Sequence, residues 1–191
     1  AMAASELLLA PKISEDRQRS GTSLYFYARE TAGVAVTIDG RVHTPNNGPG
    51  SVAHLPTGSS AVCECGQRGC LESTISDRGV AERAVELGIV DRAAIAAVYS
   101  AAGSGSVAAQ DLLVERAQVL GRTVAMLRDL FNPDRVILGG QAFTEYPAGI
   151  PHVAEAFAAT STLARKDVRV SGFGKRVQEF AAGVTSLSAI Y

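Results

Sequence analysis

Leu113, Ala117, Leu120, Val124, Leu127 and Phe131 recur at alternating steps of four and three, the spacing of one face of an α-helix. Asp111, Glu115, Gln118, Arg122 and Asp129 fall on the other side, so the pattern predicts one amphipathic helix from about Ser106 to Phe131. Its apolar stripe reads as core packing. Asn132-Pro133 ends it, because proline disfavours helical geometry in the residue before it. Shorter helices are predicted over Val80 to Leu87, over Asp91 to Ala102 with Asp91 as cap, and over Pro151 to Ala159 with proline in the first turn. The small-residue-rich stretch Phe180 to Ile190 predicts a terminal helix.

The strand pattern is as clear. Leu24-Tyr25-Phe26-Tyr27 and Gly33 to Ile38 are rich in aromatic and β-branched residues. Asp39-Gly40 is a hairpin turn signal, and Arg41-Val42-His43 returns across it as a third, antiparallel strand. Arg135 to Leu138 reads as a buried strand running into Gly139-Gly140, and Val168-Arg169-Val170 as a short one. Strands alternating with helices predict an α/β layer fold with a mixed sheet. Pro11 to Gly21 and Thr44 to Gly50 read as loops, and no internal repeat or low-complexity tract interrupts the chain. Ala1 to Leu9 reads as a helix already under way with no N-cap before it, as expected of a piece cut from a longer protein.

Composition narrows the class. With 191 residues, 47% hydrophobic and 19% charged, the chain can bury one substantial core and is not disordered. A formal charge of -1 leaves no electrostatic footprint for a phosphate backbone. Leu7-Leu8-Leu9 is far too short for a membrane span, and the charges that open a secretory signal are missing, so the cytoplasm is the expected location.

All 3 cysteines lie in one run, Cys63-Glu64-Cys65-Gly66-Gln67-Arg68-Gly69-Cys70, with His54 upstream. Three thiolates and one imidazole are enough to close a tetrahedral Zn²⁺ shell. Gly66 and Gly69 suit a chain that must turn tightly between ligands. An odd count with no cysteine elsewhere argues against a disulfide framework; free thiols in a glycine-rich turn are the alternative. His43 and His152 compete with His54 for the fourth position. A zinc knuckle for single-stranded nucleic acid would interleave aromatic and basic residues with the cysteines. Only Arg68 stands there, and no aromatic occurs from Ser51 to Ser76.

His54 followed by Cys63-x-Cys65-Gly66-x-x-Gly69-Cys70-Leu71-Glu72 resembles the zinc signature of the ROK family (repressors, open reading frames and kinases). Leu24 to Gly40 is similar to that family's phosphate hairpin, Asn132 to Gly140 to its adenosine-side strand and turn, and Met2 to Glu6 to the helix following its catalytic Asn-Asp. The resemblance implies an actin-like, sugar-kinase (ribonuclease-H-like) ATPase fold. Residues 1–191 would be its C-terminal lobe, with a zinc-binding loop within 54–70. His54, Cys63, Cys65 and Cys70 would be ligands of a structural Zn²⁺.

Two departures bear on activity. The family's kinases carry Gly-Thr-Gly at the hairpin tip, where small residues admit nucleotide phosphates; this chain has Arg29-Glu30-Thr31. Arginine alone can bind phosphate, but lost glycine clearance with an added carboxylate opposes phosphoryl transfer. The family's sugar-reading run is Glu-x-Gly-His, and here it is Ser51-Val52-Ala53-His54. Serine offers one hydroxyl where a carboxylate offers two acceptor oxygens. Glu72 stands at the family's other sugar-contacting glutamate, although an acid in a first helical turn also suits the helix dipole. Ser51, His54 and Glu72 are therefore candidate ligand-binding residues. The catalytic aspartate would fall just before Ala1, and no residue of this chain is assigned a catalytic role.

The resemblance thus implies the sensing and oligomerisation part of a ROK-type transcriptional regulator rather than an enzyme. DNA would be bound through an N-terminal winged helix-turn-helix outside this chain, the chains would pair as homodimers or tetramers, and a sugar or other small molecule would act as effector. The alternative is an ATP-dependent ROK sugar kinase.

Overall fold

A computed structural model of the chain describes residues 21–44, 46, 50–163 and 167–171. The helices predicted over Ala1 to Leu9 and Phe180 to Ile190, and the loop before Gly21, lie outside the described residues.

Strands β1 (Thr22–Ala28), β2 (Ala32–Ile38), β3 (Arg41–Val42), β4 (Arg135–Gly139) and β5 (Asp167–Val170) form one mixed sheet in the order β3-β2-β1-β4-β5. The first three make an antiparallel meander, and β4 and β5 run parallel to β1. Ile38 pairs with Arg41 across Asp39 and Gly40, whose φ angles of 47° and 74° are those of a two-residue hairpin turn. Ala28 pairs with Ala32, which leaves Arg29-Glu30-Thr31 as the tip between β1 and β2.

The helices are α1 (Leu71–Ile75), α2 (Asp77–Glu86), α3 (Ile95–Gly103), α4 (Val107–Phe131), α5 (Gln141–Thr144) and α6 (Ile150–Thr160). Along β1 and β4 the residues Leu24, Phe26, Ala28, Val136 and Leu138 belong to one buried cluster with Ala117, Leu120, Val124 and Leu127 of α4, Phe143 of α5 and Val153 of α6. Phe26 meets Phe143 edge to face at 6.2 Å. A second cluster joins Val80 and Ala84 of α2, Val98 and Ala102 of α3, and Ala109, Leu112 and Leu113 of α4. One long helix therefore spans both clusters, as its periodicity predicts. It is capped by the Ser106 hydroxyl, which accepts from the Ala109 N–H, and it closes on Asn132 in the left-handed conformation (φ 43°).

Several details differ from the sequence reading. Asp91 caps nothing: the N-cap of α3 is Ala94, without a side-chain bond, because an extra turn (Ala94 N–H to Arg92 C=O, 2.9 Å) intervenes. α2 starts earlier than expected, at Asp77, where the Ser76 hydroxyl accepts from Gly79 N–H at 3.0 Å. Phe131, last of the apolar stripe, is 46% exposed at the helix end. Gly140 adopts φ 99°, and a Cβ there would stand 2.2 Å from the Ala28 carbonyl oxygen. Close packing on β1 is thus sufficient reason for this glycine.

Candidate metal centre and its surroundings

In the segment from Ser51 to Cys70 only Gly69 and Cys70 are fully buried, while Val52 and Leu55 are partly buried against the main core cluster. Backbone bonds hold the rest of it. Thr57 N–H donates to Gly69 C=O (2.8 Å), Gly69 N–H to Ala61 C=O (2.7 Å), and Cys63 N–H to Gln67 C=O (2.9 Å). The tight turn closes with Gly66 N–H on Cys63 C=O at 2.9 Å, and Gly66 takes φ 84°. Gly69 has φ 72° and lies so near Ser59 that a Cβ would meet its carbonyl oxygen at 2.5 Å, so no larger residue fits that crossing. The Thr57 hydroxyl adds a bond to Gly69 C=O (2.9 Å) and stands 3.1 Å from the Thr74 hydroxyl.

These bonds gather four donor side chains. One ligand atom from each of His54, Cys63, Cys65 and Cys70 lies within 4.8 Å of all the others. Cys65 Sγ is 3.6 Å from Cys70 Sγ, and Cys63 Sγ is 3.8 Å from His54 Nδ1. A tetrahedral ion with bonds of about 2.3 Å to sulfur requires donor separations of about 3.8 Å. The spacing therefore fits, and so does the chemistry of the donor set. His54, rather than His43 or His152, stands with the three sulfurs. The four residues could hold a metal ion.

The thiols differ electrostatically. Burial pushes the Cys70 thiol up to about 12, and hydrogen bonds and negative charge from Cys65 and Cys63 add to the rise. The Gln67 backbone N–H, aided by the neighbouring thiols, holds Cys65 below the ordinary thiol range.

The loop is docked on α1. Leu71 N–H donates to Leu55 C=O (2.8 Å) and Glu72 N–H to Ala53 C=O (2.9 Å), so the strip Ser51 to Leu55 supplies acceptors for the first turn of the helix. Ser51 accepts the Ala53 N–H at 3.2 Å in a local turn. The Glu72 carboxylate accepts the Ala32 N–H at 3.4 Å, just past the hairpin tip. Asp77 N–H also donates to Arg29 C=O (2.7 Å), while Arg29 and Glu30 pair side by side at 3.7 Å. The structure thus brings the Ser51–His54 strip, Glu72 and the Arg29-Glu30-Thr31 tip to one edge, and it turns Glu72 toward the hairpin backbone.

Beneath this edge lies Arg116 of α4, a residue the sequence reading passed over. It is 3% exposed and donates from Nε to Ile75 C=O (2.7 Å), from Nη1 to the Tyr99 hydroxyl (2.9 Å) and from Nη2 to Asp77 (2.6 Å). One guanidinium ties α1, α2, α3 and α4 together. Burial raises the Tyr99 phenol, with Arg116 opposing the rise. The signal was its place in the stripe, three residues after Leu113 and four before Leu120, where a charge needs a partner. Arg83 adds a surface tie, donating to Glu115 at 2.8 Å and to Ser59 at 3.4 Å.

A mixed sheet flanked by helices, with its hairpin tip beside a loop of three sulfurs and an imidazole, defines a lobe of the sugar-kinase type. Among solved structures the chain matches a ROK hexokinase from Thermus thermophilus, with a TM-score of 0.78, 25% identity, and coverage of 98% of this chain and 66% of that one. It also matches a ROK family transcriptional regulator described as a homologue of the Escherichia coli MLC protein, with a TM-score of 0.73, 22% identity, and coverage of 96% and 48%. The ROK family model matches residues 4–179. The chain belongs to the ROK family. It is 49% identical over a 202-residue alignment to a transcriptional regulator of Mycobacterium tuberculosis, covering all of this chain and 45% of that protein. It is 28% identical over 121 residues to the DNA-binding transcriptional dual regulator NagC of Escherichia coli, covering 57% of this chain and 29% of that protein. The chain thus spans about half or less of the length of the curated relatives it matches. Among the described residues no helix is long and apolar enough to cross a membrane.

Proposed function

We propose that this chain is the sensing and self-association part of a cytoplasmic ROK-family transcriptional regulator that has lost kinase activity. The observation that carries the reading is the 49% identity, over the whole chain, to a transcriptional regulator. The hairpin tip supports the loss of phosphoryl transfer. Its Ala32 N–H is engaged by the Glu72 carboxylate, and Glu30 sets a second carboxylate where a polyphosphate would have to approach.

His54, Cys63, Cys65 and Cys70 are the residues that would hold Zn²⁺, and four protein donors leave no position for an activated water. A bound ion would fix these four side chains relative to one another. The chain's own backbone does the rest: the Ser51–His54 strip is aligned on α1, beside Glu72, where an effector with hydroxyl groups would be read. Ser51 supplies one hydroxyl and Glu72 a carboxylate that can exchange its Oε2 bond to Ala32 for one to the ligand. An effector that changes this exchange biases two arrangements of the hairpin, which is the coupling a DNA-bound dimer or tetramer needs. DNA contact is assigned to an N-terminal winged helix-turn-helix of the whole protein.

The kinase relatives define the contrasting arm of the test. The whole protein, supplied with ATP, Mg²⁺ and a panel of hexoses, is expected to show no phosphoryl transfer above background. It is expected to bind DNA with an affinity that a sugar or sugar phosphate changes. Turnover well above background overturns the regulator reading.

A further inference from the structure

The sulfurs of the loop are unequal in access: Cys65 is exposed, Cys63 half-buried and Cys70 buried. The exposed sulfur is also 3.6 Å from the buried one, and a bond of about 2.05 Å needs a closure of only about 1.6 Å. Cys65 sits at the tip of the Cys63–Gln67 turn, flanked by exposed Glu64 and by Gly66, so a small oxidant meets no side-chain wall. Cys63 stands instead beside His54, at 3.8 Å.

We propose that this loop is a thiol-oxidation switch in which a peroxide joins Cys65 to Cys70 and expels the bound ion. The inference rests on the metal-site reading above. The Cys65 sulfur attacks one peroxide oxygen, the O–O bond breaks, and the leaving oxygen departs as water after taking a proton. The Cys70 sulfur then displaces the hydroxyl of the resulting sulfenic acid as a second water, forming the S–S bond. Two thiolates lose two electrons, and one peroxide with two protons becomes two waters. The metal ion changes no oxidation state. Only Cys63 and His54 remain as donors, too few to retain it.

The two arms of the loop respond unequally. A Cys65–Cys70 bond keeps the inner turn attached to α1 but frees its partner arm, which carries His54 and the strip from Ser51. That strip is then held by two backbone bonds, Leu71 N–H to Leu55 C=O and Glu72 N–H to Ala53 C=O, and by the partly buried Val52 and Leu55 against the main core cluster. Oxidation therefore loosens the segment assigned to effector reading while leaving the sheet and α4 untouched.

The test begins with elemental analysis of the reduced whole protein. Hydrogen peroxide is then added while a zinc-responsive dye, thiol titration and peptide mass mapping are followed together. One ion per chain is expected to leave as two of the three thiols disappear, with a Cys65–Cys70 linkage, an alkylatable Cys63, and recovery on adding dithiothreitol and zinc. Cys63→Ser should still form the linkage, and Cys70→Ser should not. A metal-loaded protein whose sulfurs are oxidised singly to sulfinic or sulfonic acids, or whose linkage involves Cys63, overturns the switch alone. A reduced protein without metal overturns the metal reading and the release step with it.

Discussion

Two neighbouring regions of this chain are held by different forces. Helix α4 buries 13 of its 25 residues, whereas residues 51–70 bury only Gly69 and Cys70. The first is maintained by removal of apolar surface from water, each fully buried leucine or valine contributing about 1.5–3 kcal/mol. The second has backbone bonds, three glycines with positive φ and four convergent donors, which is the profile of a segment whose folding is linked to an ion. Stability of the lobe and order of the loop should therefore be separable.

The largest blow to the core side of this comparison is Arg116→Ala. It leaves the half-buried Asp77 carboxylate without its ion partner beside an empty space and should cost about 3–5 kcal/mol in chemical denaturation. The Arg116→Ala, Asp77→Ala double variant should recover part of that loss. Leu120→Ala, at the centre of the α4 stripe, should cost about 2–5 kcal/mol, and chelator should add nothing to the penalty. Equal sensitivity of the Leu120→Ala penalty to chelator would show that the two regions are not independent.

The loop side is broken by removing the ion or a donor. Chelation or Cys70→Ser should open the segment to trypsin after exposed Arg68, while the core retains its circular dichroism. Metal affinity should fall as pH falls, because each sulfur must be deprotonated to bind and protons compete. The Cys70 thiol, raised to about 12 without the ion, makes proton release on binding measurable by calorimetry in buffers of different ionisation enthalpy.

The smallest effect sharpens the contrast at the far end of α4. Asp129 is held down to about 2 by the Thr162 N–H, with further bonds from the Ser161 hydroxyl and Arg128. A depressed carboxyl stabilises the fold above its unfolded value, and the contribution is lost as pH falls toward 2. Asp129→Asn should therefore lower the thermal midpoint slightly at neutral pH and lose its effect in acid.

Much of this was legible in the residues. The long helix, the Asp39-Gly40 hairpin, the buried strand before Gly139 and the cysteine run each carry a local pattern whose physics is short-range. The start of α3 was misjudged because Asp91 is a good cap by composition, and only the extra turn at Ala94 removes it from the helix. Arg128 went unmarked as well. It is 1% exposed, and its Nη1 donates to Asp129 (3.0 Å), to Leu163 C=O (3.2 Å) and to the Ser161 hydroxyl, partners more than thirty residues away apart from Asp129.

Sequence alone determined the long helix, the strands about the Asp39-Gly40 turn, the donor types and the residues at the hairpin tip, because spacing along a chain fixes which faces are apolar and which atoms can ligate. Tertiary structure alone decided that Glu72 leans on the hairpin rather than standing free, and that Arg116 is the node under the loop. Those are meetings of segments distant in sequence, and folding brings them together through contacts that no local period records.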